Sequence, residues 1–332
     1  MVETRLGRWP VGRRIDISRT LLISLIPYSL VPILALIGAA TIDGYATKSS
    51  LVSLLILSSF LGLASLGQTF TVIAGGVDLS IPAVIGMADV VITQLDGDRW
   101  PFWLAALVIL AIAAVIGAGN AVASLALRVH PLIVTLGMGL IVTGGVLVWS
   151  HDSISGSVPQ WLVTSVSVIG KTGPIPIPAI VILWAALSVI TIFMQRRSRL
   201  GREIYATGAN PSAARLALVR SRWALISAFV VAAVLAAVVG ILFAGYSGAA
   251  DDTVGQPYLF ETVTAVVVGG TSLLGGRGSY GRTIAGALII SQLTTLLVGF
   301  GFGPSMQEVL LGILIILLVI IYGRESHVST RV

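Results

Sequence analysis

The sequence predicts an all-α polytopic membrane protein of about ten transmembrane helices, and three observations lead to that prediction. The 332-residue chain is 56% hydrophobic and 10% charged, with a mean hydropathy of +1.01. A soluble domain carries about 25% charged residues, so this chain has too few to cover a water-facing surface. Its apolar residues form long runs, and its basic residues gather in alternate connections between them. With no long polar stretch left over, we expect residues 1–332 to form a single transmembrane domain.

The apolar runs approach the roughly 20 residues that a helix needs to cross the hydrocarbon of a bilayer. The first run follows five arginines, as a signal peptide would, but its length of about 20 residues exceeds the usual signal core of about 7–15. We therefore predict an uncleaved first helix. The predicted spans are approximately 21–42, 51–74, 81–95, 102–127, 131–149, 175–195, 223–246, 259–274, 283–299 and 305–322.

The distribution of lysine and arginine predicts the orientation, because cytoplasmic connections carry the excess of both. With the N-terminus inside, only Lys48, Arg99 and Lys171 fall on the outer side, which leaves 17 of the 20 basic residues inside. We expect a multi-pass protein of the bacterial inner membrane with both termini in the cytoplasm. The predicted cytoplasmic parts are an N-terminal segment at residues 1–20, a connection at 196–222 and a tail at 323–332.

Two glycine pairs interrupt the chain at corresponding places. Gly75-Gly76 follows the second predicted span and Gly269-Gly270 lies at the end of the eighth, and each pair leads through a polar turn towards a new helix. The two sites lie six spans apart and so have the same orientation, which suggests a parallel internal repeat with broken helices at the glycine turns. Small residues that merely let helices pack closely would give the same pattern. Asp78, just after the first pair, is expected to cap the next helix.

The sequence offers no group of residues that could carry catalysis. It has no cysteine, and its three histidines lie far apart, so neither thiol chemistry nor a metal site is expected. The segment 276–281 satisfies the G-x-G-x-x-G pattern but follows a membrane span instead of a strand. We predict that the chain is not an enzyme and binds no cofactor itself. Topology explains the excess of arginine, so no nucleic-acid partner is expected.

Polar side chains within the spans are candidates for a translocation path, since burying them in a membrane is costly. Asp89 stands out because it falls in the middle of the third span. Glu261 and Glu308 lie near the starts of their spans, where a solvated helix end is the favoured explanation. The uncharged candidates could bind a hydroxylated solute or hydrogen-bond one another across helices. The path candidates are Gln68, Asp89, Asn120, Thr135 and Gln292.

The connection at 196–222 is longer and more ordered than a link between two spans requires. Asn210 can cap a short helix that extends to residue 219, with Pro211 as the first residue of that helix. Such an element predicts a docking surface for a cytoplasmic partner. The alternative is a basic connection that sets the orientation of the neighbouring spans and has no partner.

Several segments together resemble the permease subunits of bacterial ATP-binding-cassette importers, in the branch that carries ribose and other simple sugars. The matching segments are 75–80, 119–121, 130–138, 201–216 and 268–276. The resemblance covers nearly the whole chain and implies about ten spans and a monosaccharide or related polyol as the solute. It also implies a second permease subunit, two cytoplasmic ATPase subunits that bind ATP and magnesium, and an extracytoplasmic solute-binding protein. The coupling contact with the ATPase is assigned by this resemblance to Gly201, Arg202, Glu203, Tyr205, Gly208, Asn210, Ala213, Ala214 and Arg215.

The chain departs from that family at two places. Thr143 stands where members often have arginine, and Ala217-Leu218 stands where they often have Ser-Gly. The solute and the second permease subunit, identical or paralogous, therefore stay open. One alternative is a branched-chain amino-acid permease of the same importer class. Another is a self-contained, proton-driven transporter with Asp89 as its proton relay.

Overall fold

A computed structural model of the protein describes residues 17–97, 99–151 and 156–323, and within them it contains thirteen α-helices and no β-strand. Most of the predicted N-terminal segment at 1–20 and of the tail at 323–332 lies outside these residues. The helices are α1 (Ile17–Thr41), α2 (Lys48–Ile73), α3 (Ile81–Gly97), α4 (Phe102–Leu127), α5 (Pro131–Ser150), α6 (Gln160–Val166), α7 (Ala179–Arg197), α8 (Arg199–Ala209), α9 (Pro211–Leu216), α10 (Ser221–Ser247), α11 (Tyr258–Val268), α12 (Tyr280–Gly299) and α13 (Pro304–Gly323).

Each predicted span coincides with one helix, and the three remaining helices, α6, α8 and α9, are short and lie in predicted connections. Among the described residues, α2, α4, α5, α7, α10 and α12 are long and apolar enough to cross a membrane, and Ile26–Thr41 of α1 is a shorter apolar stretch. α11 has only 11 residues. At about 1.5 Å per residue it covers roughly half of a hydrocarbon core that is about 30 Å thick. The expectation of a broken helix is confirmed here.

α2 forms the centre of the bundle, with α7, α10, α11 and α12 packed against it. Of its most apolar stretch 67% is buried, against 22% for the corresponding stretches of α4 and α5. The outer sides of α4 and α5 instead carry exposed apolar side chains such as Val115 and Leu140. In a bilayer these side chains face an apolar solvent, so their exposure is compatible with a stable fold.

Glycine sets the distance between α10 and its neighbours. A methyl group on Gly67 of α2 would lie 2.5 Å from Cα of Ala232, and one on Gly240 would lie 2.8 Å from Cβ of Ala88 in α3. Both distances are well below van der Waals contact. α10 can therefore approach α2 and α3 this closely only because the side chain is missing at these positions.

Four exposed tryptophans lie at one end of the bundle. Trp100 and Trp103 are at the start of α4, Trp149 is near the end of α5, and Trp161 is in α6. The rings of Trp161 and Phe102 meet edge to face with their centroids 4.8 Å apart. Tryptophan is enriched where a membrane meets water, so this belt marks one boundary of the bilayer.

Tyr280, a fully buried side chain in α12, ties three helices together. Its hydroxyl donates a hydrogen bond to the carbonyl oxygen of Gly62 in α2 (2.8 Å) and accepts one from Nε1 of Trp184 in α7 (2.8 Å). The backbone N–H of Tyr280 donates to Oε1 of Gln195 (2.9 Å). α2, α7 and α12 are thus held by polar contacts in addition to packing.

We expect Tyr280→Phe to lower the free energy of unfolding by about 1–3 kcal/mol, because the indole N–H of Trp184 would be buried without a partner. Thermal unfolding of the purified protein in detergent measures this change. Tyr246→Phe is the matched control, since Tyr246 is 41% exposed and its hydroxyl has no hydrogen bond among the described residues. Equal stability of the two variants would contradict the structural role of Tyr280.

Candidate functional site

The two glycine turns have the same backbone geometry. After α2, the N–H of Gly75 donates to the carbonyl of Val72 (3.0 Å) and the N–H of Gly76 donates to that of Thr71 (2.9 Å). After α11, the N–H groups of residues 270 and 271 donate to the carbonyls of residues 267 and 266 in the same way (2.8 and 3.1 Å). Both are Schellman motifs, in which a residue with positive φ ends a helix. The repeated geometry agrees with the internal repeat.

The two turns place their left-handed residue at different members of the glycine pair. The left-handed residue is the first glycine of one pair, Gly75 (φ 93°), and the second glycine of the other, Gly270 (φ 75°). The remaining two glycines are needed for space. A methyl group on Gly76 would lie 3.0 Å from the ring of Phe229, and one on Gly269 would lie 2.8 Å from the backbone of Arg282.

The loops that follow the two turns meet at a backbone junction. The N–H of Gly276, in the 269–279 loop, donates a hydrogen bond to the carbonyl of Ile73 at the end of α2 (2.9 Å). A methyl group on Gly275 would lie 2.9 Å from Cα of Gly75. The two halves of the repeat therefore touch through main-chain atoms, with no side chain between them.

α8 lies directly on this junction. A methyl group on Gly208 would collide with the carbonyl of Ile73 and would lie 2.7 Å from the N atom of Gly276. One helical turn earlier, the hydroxyl of Tyr205 donates to the carbonyl of Gly278 (2.7 Å). Burial raises the pKa of Tyr205, which keeps the hydroxyl protonated as a donor. A displacement of α8 would thus act on both halves of the repeat at once.

Local hydrogen bonds hold α8 and α9 in shape. Oγ of Ser198 accepts from the N–H of Gly201 (2.9 Å), and Oδ1 of Asn210 accepts from the N–H groups of Ser212 and Ala213 (3.0 Å each). The predicted cap at Asn210 is therefore present. Glu203 pairs with Arg199 one turn away (2.8 Å).

The outward face of this connection consists of apolar and basic side chains. Leu216 is 87% exposed and Leu218 is 89% exposed, while Arg202 and Arg215 are also exposed. Ala213 is exposed, whereas Ala214 is buried and packs inward. Two large exposed leucines beside arginines form an amphipathic surface outside the helical bundle.

The helix after Asn210 is shorter than the sequence predicts, because Leu218 ends it. α9 stops at Leu216, and the N–H groups of Leu218 and Val219 donate to the carbonyls of Arg215 and Ala214 (3.0 and 2.9 Å). This is a third Schellman motif, with leucine at the position that usually holds glycine (φ 56°). A bulky residue with positive φ is an outlier, so strain is stored at the exposed tip.

The sequence-based set of coupling residues does not include Leu218, and it does not single out Leu216. Leu218 lies just beyond α9, which ends at Leu216, whereas the sequence predicts a helix that extends to residue 219. The sequence contained one indication of this turn. Leu218 stands where members of the similar family often have glycine, the residue that most readily takes a positive φ.

A second group of polar side chains supports the 74–80 turn. Oδ1 of Asp78 accepts hydrogen bonds from N and Oγ of Ser80 (2.9 and 2.6 Å), and Nδ2 of Asn120 donates to that Oγ (2.9 Å). The hydroxyl of Thr135 accepts from the N–H of Leu79 (3.1 Å) and lies 3.3 Å from the carbonyl of Val77. The structure thus brings Asp78, Asn120 and Thr135 from three parts of the chain to one turn.

We expect Asp78→Ala to destabilise the protein by about 1–3 kcal/mol, because Ser80 would lose a buried acceptor. Asp78→Asn keeps an oxygen acceptor at the same position, so most of the stability should be retained. Unfolding temperatures of both variants in detergent, measured beside the wild type, check this difference. Two equally unstable variants would mean that the negative charge of Asp78 matters more than its hydrogen bonds.

The other path candidates lie apart from that turn. Asp89 and Gln68 are fully buried, and their side chains have no hydrogen-bond partner among the described residues. The carboxylate of Asp89 lies beside the backbone of Asp251. Gln292 in α12 is 4% exposed, and its Oε1 also has no partner among the described residues. These three buried polar side chains belong to three different helices: α3, α2 and α12.

A cavity of about 400 Å³ lies between α2, α10, α11 and α12, beside the connection that precedes α11. None of the five sequence-predicted path residues lines it. Its serine and threonine residues could not be singled out from the sequence, because these residue types are common throughout the spans. The lining residues are Leu57, Leu61, Phe243, Asp251, Thr253, Val254, Pro257, Tyr258, Glu261, Ser291 and Thr294.

The known proteins that this chain resembles are permeases of transport systems. The family model described as branched-chain amino acid transport system / permease component matches residues 50–319. The ribose import permease protein of Escherichia coli (strain K12) is 29% identical over 303 residues, which cover 90% of this chain and 94% of that protein.

Two further relatives are also named as permeases. The fructose import permease protein of Rhizobium meliloti is 31% identical over 304 residues, which cover 88% of this chain and 83% of that protein. An inner membrane ABC transporter permease protein of Escherichia coli (strain K12) is 30% identical over 256 residues, which cover 76% of each chain. No solved structure matches the chain.

Proposed function

Because the chain belongs to the family of branched-chain amino acid transport system permease components, we propose that it is the permease subunit of an ATP-binding-cassette importer for a monosaccharide or related polyol. Relatives named for the import of ribose and of fructose align over most of this chain. These relatives favour a sugar as the solute, although the description of the family as a whole names branched-chain amino acids.

The observation that carries the proposal is the position of α8 on the backbone junction between the two halves of the repeat. ATP and magnesium would bind to partner ATPase subunits, which would contact the exposed leucines and arginines of α8 and α9. Movement of α8 would then reach Ile73 and Gly276 together, since Gly208 touches both. A rigid helix seated on two hinge-like turns is suited to switch the bundle between outward and inward access.

This arrangement requires α8 and α9 to be cytoplasmic. The basic residues support that orientation. The arginines of the 196–222 connection lie at the same end of the bundle as the junction, and so do Arg277 and Arg282. Cytoplasmic connections carry the excess of such residues. Both termini would then be cytoplasmic, and a solute-binding protein would approach the opposite end. A second permease subunit, identical or paralogous, would complete the importer in the inner membrane.

Reconstitution tests the proposal directly. The chain is placed in proteoliposomes with its ATPase subunits and solute-binding protein, and uptake of D-ribose, D-fructose and other neutral monosaccharides is measured with and without ATP. We expect ATP-dependent uptake of at least one sugar and no uptake of L-leucine. Uptake of L-leucine instead would overturn the assignment to sugars.

The same preparation without ATPase subunits addresses a self-contained transporter. A proton gradient is imposed across vesicles that contain the chain alone. The proposal predicts no sugar uptake under these conditions, because nothing moves α8. Proton-driven uptake would refute the importer assignment and direct attention to Asp89.

A further inference from the structure

We propose that the cavity between α2, α10, α11 and α12 is a solute site within the translocation path, which binds one uncharged sugar or polyol and rejects anionic solutes. This inference rests on the proposed function, which names a solute class but no binding site. The cavity volume of about 400 Å³ falls within the range of about 300–1,000 Å³ for small-molecule pockets. It has room for a single sugar ring.

The hydroxyl groups of Ser291 and Thr294 line the cavity without a hydrogen-bond partner among the described residues. Other hydroxyls in these helices bond to the carbonyl four residues earlier, as Thr295 does to Ser291 (2.7 Å) and Thr264 does to Phe260 (2.6 Å). Ser291 is only 7% exposed. A hydroxyl that faces a cavity and has no partner within the protein can hydrogen-bond a ligand in place of water, so a hydroxylated solute would find both donors and acceptors at this position.

The opposite walls supply an apolar surface and a carboxyl group. The rings of Phe243 and Tyr258 meet edge to face with their centroids 6.0 Å apart, and such rings can pack against the C–H face of a sugar. The carboxylate of Glu261 lines the cavity without an ion pair or a hydrogen bond within the described part of the chain. A carboxyl group can hydrogen-bond the hydroxyl groups of a sugar, as an acceptor when ionised and also as a donor when protonated.

The charge of the cavity determines which solutes it accepts. Asp251 and Glu261 are among the lining residues, and no lysine, arginine or histidine of the described chain lines the cavity. A phosphate or carboxylate placed here would lie beside the carboxyl groups of Asp251 and Glu261 and would find no cation to compensate its charge, which is unfavourable. A neutral hydroxylated solute meets acceptors and donors without this repulsion. The lining therefore selects against sugar phosphates and other anions.

The natural absence of cysteine provides the test, because each introduced thiol is the only one in the chain. Ser291→Cys and Thr294→Cys, which change side-chain volume little, are made in the complete importer and treated with a small water-soluble thiol reagent. Thr295→Cys is the matched control, since the Thr295 hydroxyl bonds to the backbone and the residue does not line the cavity. Labelling rates are measured alone, with D-ribose, with D-fructose and with ribose 5-phosphate.

We expect both cavity positions to be labelled and at least one neutral sugar to slow the labelling about tenfold at about ten times its dissociation constant. Ribose 5-phosphate should give no protection, and position 295 should show no dependence on sugar. Protection by ribose 5-phosphate as strong as that by D-ribose would overturn the exclusion of anions. Absence of labelling at both cavity positions would overturn the site.

ATP-driven uptake of the same sugars is measured on the same variants, so that failures can be told apart. If the importer takes up a sugar that gives no protection at either cavity position, the site is wrong and the proposed function stands. If no sugar is taken up by the wild type with ATP, the proposed function fails and the inference fails with it.

Discussion

Gly208→Ala is expected to reduce ATP-driven sugar uptake by at least about tenfold while the chain still inserts into the membrane. The added methyl group would collide with the carbonyl of Ile73 and lie 2.7 Å from the N atom of Gly276. Both obstacles are backbone atoms that cannot rotate away, so α8 must lift from the junction. Overpacking of this kind costs about 1–3 kcal/mol, which corresponds to a factor of about 5 to about 150 in the population of the seated state.

The measurement compares sugar uptake with ATP hydrolysis in proteoliposomes. An uncoupled importer hydrolyses ATP without accumulating sugar, whereas an unfolded one does neither. Gly137→Ala in α5 is the control, because a methyl group there meets no heavy atom within 4 Å. If Gly208→Ala transports as well as Gly137→Ala, the contact between α8 and the junction does not carry coupling.

Leu218→Gly is expected to make the permease more stable and its complex with the ATPase weaker. Leucine with a φ of 56° is strained by roughly 1–2 kcal/mol, and glycine removes that strain. The same change removes a side chain that is 89% exposed in the isolated chain. Burial of one leucine at an interface contributes about 1.5–3 kcal/mol, so binding should weaken about tenfold or more.

Opposite changes in stability and binding separate docking from a purely structural role. Unfolding temperature and retention of the ATPase subunits during purification are measured on the same samples. Leu216→Asp should also release the ATPase, while Ile169→Asp should not, because Ile169 is equally exposed (86%) but lies in the connection between α6 and α7, at the other end of the bundle. Full retention of the ATPase by Leu218→Gly and Leu216→Asp would place the docking surface elsewhere.

The arrangement of spans could be predicted from the sequence because lipid leaves the backbone little choice. A segment without access to water must satisfy its own hydrogen bonds, so hydropathy alone located the ten helices that coincide with the predicted spans. The ends of helices were less predictable. The eighth predicted span extends to residue 274, but α11 ends at Val268, since Gly270 takes a left-handed conformation. A single dihedral angle decided the end of that helix, and hydropathy does not report it.

The site was predictable only where its contacts are local. Asn210 could be assigned as a cap because its partners are two and three residues away. The contact of Gly208 with Ile73 joins residues far apart in the chain and depends on the whole packing of the bundle. Likewise, Ser291 and Thr295 look equivalent in the sequence, yet only the structure shows that Thr295 bonds to the backbone while the hydroxyl of Ser291 is free to face the cavity.

The central position of α2 has a consequence for the synthesis of the protein. Six of its buried residues are polar: Ser58, Ser59, Ser65, Gln68, Thr69 and Thr71. The helices that cover them, α10 and α12, begin about 150 and 200 residues after α2 ends. At about 5–20 residues per second, a nascent chain exposes this polar helix for roughly ten to forty seconds before its partners are made. α2 must therefore be shielded by the insertion machinery during that interval, and chains that end before α10 should be rapidly degraded by membrane proteases.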